Sequence, residues 1–397
     1  MWIRHLTLTN FRNFRSQEID LSRGTTLLLG DNAQGKSNLL EAVFLLATTR
    51  SERAQTDADL IHWDALTESQ PVARVAARIV RRDGPLELEV IVAGRQPATG
   101  GPEGRRAAFK RLRVNGVARR QIDVVGQLTA VLFSTDDMEL IGGAPATRRR
   151  YLDVTLSQLD QSYLRALQRY GKVVSQRNAL LRRIQDGDAG PDELDFWDQE
   201  LARDGAVLMS QRAGAVDALA VHAGNAHQRL SDGLEELVIA YRPRLEGWDG
   251  SQGEALTAAL LDALAAGRRR DIGVGVTLTG PHRDDLTFTL NGVAAASFAS
   301  RGQQRTAALA LRLAEARFMA DRKGDLPVVL LDDVLSELDE GRRRAVLESL
   351  GEWDQLFITS TDADRFAEGL PGSPSVFRVV AGWIEPAQVG LNYEGQA

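Results

Sequence analysis

The segment Gly30-Asp31-Asn32-Ala33-Gln34-Gly35-Lys36-Ser37 constrains this chain more than any other stretch of it. It has the spacing G-x-x-x-x-G-K-[ST], with an apolar run at residues 25–29 before it and a helical pattern at residues 38–47 after it. A strand, a glycine-rich turn and a helix in that order aim backbone N–H groups and a helix N-terminus at one point, which favours a phosphate chain. Gly30, Asp31, Asn32, Ala33, Gln34, Gly35 and Asn38 are read as the cradle. Lys36 reaches the β- and γ-phosphates and the Ser37 hydroxyl is placed to ligate Mg²⁺, so ATP and Mg²⁺ are the expected cofactors. Only four of the 48 basic residues are lysines, so a lysine here marks a site that needs a compact point charge. The competing reading is a glycine-rich turn that holds no nucleotide.

A second element supplies carboxylates. Residues 328–331 are an apolar run that ends in Asp332 and Asp333, which reads as a buried parallel strand with ligands at its C-terminal end. Asp332 is expected to hold Mg²⁺, directly or through water, and Asp333 to polarise an attacking water as general base; Lys36 and Asp333 are thus the catalytic candidates. The alternative makes Asp333 only the cap of the following turn. Ser300-Arg301-Gly302-Gln303-Gln304-Arg305 opens a helical run whose free N–H groups suit an anion, so Ser300, Gly302 and Gln303 join the candidate nucleotide contacts. Phosphate loop, helical insertion, serine-glycine segment, carboxylate strand, then Ser336-Glu337-Leu338-Asp339 is the order of the ATP-binding-cassette (ABC) class.

The periodicities divide the chain into three stretches. Residues 1–136 read as the N-terminal part of an α/β ATPase domain, with strands at 6–11, 72–80 and 86–92 and an Asn115-Gly116 hairpin turn. The opening Met1-Trp2-Ile3-Arg4-His5 alternates like a first strand and lacks the apolar stretch of a signal peptide or membrane span. Residues 137–271 read as a helical arm or lid. There Leu152, Leu156, Leu159, Tyr163, Tyr170, Val174, Leu181 and Ile184 draw one stripe down a single long helix, residues 185–191 break it, and Leu194, Trp197, Leu201, Leu208, Val216 and Leu219 draw a second. Each limb of this antiparallel pair would reach roughly 50 Å. Residues 272–397 read as the C-terminal part of the ATPase domain, with strands at 274–279, 286–290 and 356–359, a hairpin turn at Asn291-Gly292 and a helix at 340–350.

Composition limits the partners. The chain has no cysteine, which excludes disulfides, thiolate zinc sites and a cysteine nucleophile and fits a reducing cytoplasm. A net charge of -6 excludes a uniformly basic coat, so any DNA contact must come from local patches. Arg105, Arg106, Lys110 and Arg111 lie in one such run, and Arg148 and Arg149 in another; a solvated loop or hairpin edge is the competing reading. His282 sits among Arg283, Asp284 and Asp285 with no second histidine nearby, which favours a structural or DNA-facing role over metal ligation.

Asn10-Phe11-Arg12-Asn13-Phe14, residues 145–153, Gly280-Pro281-His282-Arg283-Asp284-Asp285 and residues 331–339 resemble segments of the RecF family over nearly the whole chain. The resemblance implies a head domain like that of the SMC ATPases, with two protomers clamping two ATP molecules, weak Mg²⁺-dependent hydrolysis, and a role at gapped DNA with recombination-mediator partners. In that arrangement Ser300 and Gly302 would contact the γ-phosphate held by the other protomer, Asp339 would lie in the loop crossing between subunits, and Arg12 would reach back toward the nucleotide. Two departures stand out. Thr135 replaces the family's usual proline, and residues 359–362 carry no switch histidine of the transporter type. Gln127 is the candidate for the glutamine that links nucleotide and lid. A transporter subunit and an ATP-binding scaffold with vestigial hydrolysis are the alternative functions.

Overall fold

The computed structural model describes residues 1–94, 108–351, 353–362, 370 and 373–387. The strands in chain order are β1 (Trp2–Phe11), β2 (Phe14–Asp20), β3 (Gly24–Leu29), β4 (Val72–Arg81), β5 (Gly84–Gly94), β6 (Ala108–Val114), β7 (Val117–Arg119), β8 (Ala130–Ser134), β9 (Leu237–Arg242), β10 (Asp285–Leu290), β11 (Val293–Ala294), β12 (Val328–Asp332), β13 (Gln355–Ser360), β14 (Ser375–Val380) and β15 (Trp383–Pro386). The helices are α1 (Lys36–Thr48), α2 (Gln121–Val124), α3 (Met138–Gly142), α4 (Pro145–Leu159), α5 (Gln161–Gln185), α6 (Leu194–Leu230), α7 (Gly253–Val274), α8 (Ala295–Phe298), α9 (Arg301–Lys323) and α10 (Glu340–Leu350).

By compactness the chain forms two units, one of residues 1–137, 229–231 and 315–397, the other of residues 138–228 and 232–314. This differs from the expected return to the ATPase domain at residue 272. The sheet β9–β10–β11 and the start of α9, with Ser300, belong to the helical unit, because β10 pairs antiparallel with β9, which directly follows α6.

In the first unit two six-stranded sheets enclose α1. One is antiparallel, in the order β2-β1-β4-β5-β6-β7. The other runs β15-β14-β3-β13-β12-β8 and is parallel apart from β15. The parallel strands are covered on both faces, which is why residues 328–331 and 356–358 are continuous apolar runs with at most 2% exposure. Each leucine buried this way stabilises the unit by about 1.5–3 kcal/mol. Two buried glutamines stitch the sheets together. Gln355 accepts from Ile3 N at 2.8 Å and donates to Ile3 O at 2.9 Å, while Gln17 accepts from Ile384 N at 3.0 Å and donates to Ile384 O at 3.1 Å. An amide fits because it satisfies a backbone donor and acceptor at once.

In the second unit the expected single helix is two, α4 and α5, separated at Asp160. That residue's side chain accepts from Ser162 N at 2.6 Å and starts a new helix, while its own N–H closes the old one on Leu156 O at 2.9 Å. The apolar stripe runs on through the bend, so its period could not show the break. No strand forms at residues 274–279. α7 runs through Val274 and ends at Gly275 (φ 75°), after which side chains satisfy the backbone: Asn178 accepts from Thr277 N at 2.7 Å and Asp271 from Leu278 N at 3.1 Å. The core of this unit is polar as well as apolar. Arg177, fully buried, bonds Asp198 of α6 at 2.7 Å and Asp271 of α7 at 2.6 Å, and Arg212 bonds Asp153 and Pro281 O, both at 2.7 Å. Residues 280–285 are therefore a hub that fastens α4, α5, α6 and β9.

Candidate nucleotide site

The site lies in the first unit, at the C-terminal ends of β3, β12 and β13, where a parallel sheet gathers its ligands. Residues 30–35 leave β3 and turn sharply into α1. Gly35 has φ 120°, and a Cβ there would lie 2.6 Å from the Asn13 amide nitrogen; a Cβ on Gly30 would run into Val379 O of β14. Only glycine fits at both places. The β14–β15 turn buttresses the loop: Gly382 N donates to Gln34 O at 3.0 Å and Ala381 N to Gln34 Oε1 at 2.6 Å. The reading of the sequence assigned nothing to this hairpin, because its turn is Ala-Gly rather than Asn-Gly, although both residues take positive φ.

Lys36 folds back over the loop, donating to Gly30 O at 2.6 Å and Asp31 O at 2.8 Å. Burial pushes its ammonium below the usual lysine range, opposed by the carboxylates of Asp333, Asp332 and Asp31. Ser37 Oγ donates to Asp332 Oδ1 at 2.7 Å, so the two expected Mg²⁺ ligands meet in space. Thr359 at the end of β13 also reaches Asp332 Oδ1, at 3.1 Å, and its Oγ1 accepts from Asp333 N at 2.8 Å. This threonine occupies the stretch noted only for its missing histidine, and its position next to both carboxylates was not legible in the sequence.

Asp333 does not cap the next turn, where Val334 takes that place. Its backbone is left-handed (φ 56°), an uncommon conformation tolerated better by aspartate than by most residues. Its Oδ1 is buried without a hydrogen-bond partner. An orphaned carboxylate oxygen beside the Ser37–Asp332 pair and an ammonium resting on carbonyls fit a site for Mg²⁺ and a phosphate chain: a hard cation takes hydroxyl and carboxylate oxygens, and a compact ammonium suits phosphate.

Arg12 (φ 54°) is tied down by both Glu41 oxygens, at 2.8 and 2.6 Å, and by Asp59 O at 2.8 Å. It is not free to swing, but it lines, with Asn13, Asn38, Thr56, Asp59 and Trp63, a cavity of about 640 Å³ beside the loop. Asp339 caps α10 by accepting from Arg342 N at 2.9 Å and stays exposed. Gln127 is not the linking glutamine. It precedes β8, away from the ligand-bearing strand ends, and is held by Arg81 at 2.9 Å and Asp123 O at 3.2 Å. The parallel register sets Ser134 beside Asp332 instead.

Ser300 and Gln303, in the second unit, form a capping box at the start of α9: Ser300 N donates to Gln303 Oε1 at 2.8 Å and Gln303 N to Ser300 Oγ at 3.2 Å. Gly302, in the first turn of α9, leaves the helix start without a side chain that could shield its N–H groups. The basic candidates divide. Arg105 and Arg106 lie outside the described residues. Lys110 is committed to Asp57 at 2.5 Å and Thr49 O at 2.9 Å, Arg148 is buried in a two-pronged bond to Asp285 at 2.7 and 2.9 Å, and Arg149 donates to Asp284 O at 2.8 Å. Each of these three has an internal acceptor that residue spacing does not reveal, and of the three only Arg148 is buried. Arg111 is exposed and stacks over Phe109 at 5.2 Å. His282 is structural, bonded to Tyr170 Oη at 2.7 Å and Thr277 O at 3.0 Å, and burial pushes it down to about 4. Among the described residues no cluster of His, Cys, Asp and Glu forms a separate metal site.

Residues 2–379 match the model of the RecF/RecN/SMC N-terminal domain family. The chain is 46% identical over 391 residues to the DNA replication and repair protein RecF of Chloroflexus aggregans, covering 97% of this chain and 99% of that one. It is 44% identical over 395 residues to RecF of Roseiflexus castenholzii, covering 98% and 100%. The fold superimposes on the recombination mediator protein RecF with ATP in the RecFOR pathway with a TM-score of 0.85, at 31% identity and 98% coverage of both chains. A Smc head bound to the C-terminal winged-helix domain of ScpA matches with a TM-score of 0.54 at 16% identity and 98% coverage of both chains, a likeness of fold alone. The match of residues 2–379 to the family model and the identity over nearly the full chain show that the chain belongs to the RecF family of ABC-type, SMC-head-like proteins.

Proposed function

We propose that the chain is an ATP-dependent DNA-binding protein of recombinational repair and replication, active in the cytoplasm as a homodimer that forms on ATP. Its similarity to proteins named DNA replication and repair protein RecF supports the process. The observation that carries the chemistry is the meeting of Ser37, Asp332, Thr359 and Asp333 over the phosphate loop. The cavity of about 640 Å³ takes the adenosine, with the exposed Trp63 ring available for stacking.

In this reading Lys36 transfers from the Gly30 and Asp31 carbonyls to the β- and γ-phosphates, and the loop N–H groups hold the remaining oxygens. Ser37 Oγ and Asp332 would hold Mg²⁺, which when bound would supply charge neutralisation for the phosphates. Asp333 Oδ1 accepts the proton of the attacking water, while the Asp333 N to Thr359 Oγ1 bond holds the backbone of that residue. Aspartate is one methylene shorter than glutamate and no histidine stands at residues 359–362, so turnover is slow. Ser300, Gly302 and Gln303 of each protomer grip the γ-phosphate held by the other, and exposed Asp339 crosses between them. ATP then acts as interfacial glue, because the dimer binds it better than the monomer does.

Exposed Arg111, with Arg119 on the same hairpin, supplies phosphate contacts to DNA at single-strand gaps, where the dimer assists recombinase loading with other mediator proteins. A transporter-type nucleotide-binding subunit is disfavoured by the long helical insertion between the phosphate loop and the carboxylate strand, by the lack of a histidine at residues 359–362 and by the basic hairpin region. The test is retention on gapped duplex DNA with ATP or ADP at two salt concentrations. ATP-dependent, salt-sensitive retention is expected; retention indifferent to both would overturn the reading.

A further inference from the structure

Ser300 is not held by the capping box alone. Gln303, whose Oε1 accepts from Ser300 N, donates through Nε2 to Glu235 Oε1 at 2.8 Å. The other oxygen of that carboxylate, Oε2, bonds His227 Nε2 at 3.0 Å, and His227 is fully buried near the end of α6. A continuous hydrogen-bonded chain thus runs from α6 through Glu235 and Gln303 to Ser300, all within the second unit.

The backbone around Glu235 is fixed on both sides. After α6 the chain reverses through Asp232 (φ 51°) and Gly233 (φ 75°), with Gly233 N bonded to Gln228 O at 2.8 Å. Glu236, the next residue, accepts from Asn291 N at 2.9 Å and donates to Asn291 Oδ1 at 2.8 Å, which nails it to the β10–β11 turn. Glu235 therefore presents its carboxylate from a rigid seat. An ordinary capping box needs no such third partner, since serine and glutamine already satisfy each other. What the carboxylate adds is orientation. With Nε2 anchored, Gln303 Oε1 points at Ser300 N, and Ser300 Oγ, which accepts from Gln303 N, keeps its own hydrogen for an oxygen acceptor outside the helix.

We propose that Glu235 is a positioning residue for Ser300, pre-setting the signature segment for the γ-phosphate bound by a second copy of the chain and tying its orientation to the end of α6. This rests on the reading of Ser300 as that contact. A displacement of α6 along its axis then reaches Ser300 through three side chains, which gives the arm helix a physical route to the ATP-gripping surface.

The test uses the full chain with ATP and Mg²⁺, reading the dimer dissociation constant, ATP affinity of the monomer and thermal midpoint for the parent, Glu235→Ala, Glu235→Gln and Ser300→Arg. Glu235→Ala is expected to weaken the ATP-dependent dimer about tenfold, the scale of one lost hydrogen bond to a charged group, while the monomer binds ATP as before. Glu235→Gln keeps an acceptor for Gln303 Nε2 and is expected within about threefold of the parent. Should the alanine form not fold, the glutamine form decides alone, and a tenfold loss there overturns the proposal. If both Glu235 variants dimerise like the parent while Ser300→Arg stays monomeric, the positioning role is wrong and the reading of Ser300 survives. If Ser300→Arg dimerises normally, that reading falls and takes this proposal with it.

Discussion

Ser37 donates its hydroxyl hydrogen to Asp332 Oδ1 across 2.7 Å, joining the end of the phosphate loop to the end of a strand that is 295 residues away in sequence. The pair brings together a hydroxyl and a carboxylate oxygen, both of which suit a hard cation, so on the proposed reading it would open around Mg²⁺. Ser37→Ala and Asp332→Asn should each cut ATP turnover at least a hundredfold, on the scale seen when a phosphoryl-transfer group is removed. Nucleotide binding in the presence of a chelator should change little in Ser37→Ala. Equal loss of binding with and without Mg²⁺ would show that the pair serves the loop and not the cation.

Asp333→Asn keeps the shape of the strained turn and removes the base. Turnover should fall about 10²–10⁴-fold, the range for a lost general base. Binding of ATP should persist, measured by equilibrium titration alongside a phosphate-release assay. Unchanged turnover would assign proton removal to another group and leave Asp333 a packing residue.

The basic residues separate by location. Arg111→Ala should lower affinity for gapped DNA and reduce the slope of log affinity against log salt by about one, since one phosphate contact is lost. Arg148→Ala should act on stability instead, by about 1–3 kcal/mol, because it removes the two-pronged partner of the partly buried Asp285 carboxylate. Denaturant midpoints and salt titrations of both variants distinguish the two effects, and a DNA defect without instability in Arg148→Ala would reverse the assignment.

Much of this was legible in the sequence, and the failures share a cause. The phosphate loop and β12 depend on local order and apolar runs, which a single sequence displays. The break at Asp160 hides because a capping aspartate can end one helix and begin the next without disturbing the stripe. Thr359, Arg148, Lys110 and Gln127 were missed or misread because their partners are 27, 137, 53 or 61 and 46 residues away, and no spacing rule reaches that far. For His282 the sequence favours a structural or DNA-facing role over metal ligation, and residues 280–285 form the polar hub of the helical unit.

That hub makes stability depend on pH. Burial holds His282 neutral, its pKa pushed down to about 4 from 6.5, so the unfolded chain takes up its proton first as pH falls. The resulting loss sets in near pH 6.5 and is complete near pH 4, with a ceiling of about 3 kcal/mol. Asp284, raised by burial, works in the opposite sense, gaining stability as pH falls through its folded value. Comparing the parent with His282→Gln isolates the histidine: the urea midpoint of the variant should fall less steeply between pH 6.5 and 4. Parallel curves would remove His282 from the account.

The central claim is that ATP closes two copies of this chain on each other, and solution mass tests it most directly. Mass would be measured without nucleotide, with ADP and with ATP, for the parent, Lys36→Met, Ser300→Arg and Asp333→Asn. The account predicts a dimer only with ATP, none for Lys36→Met or Ser300→Arg, and a longer-lived one for Asp333→Asn. A mass indifferent to ATP in the parent would contradict it.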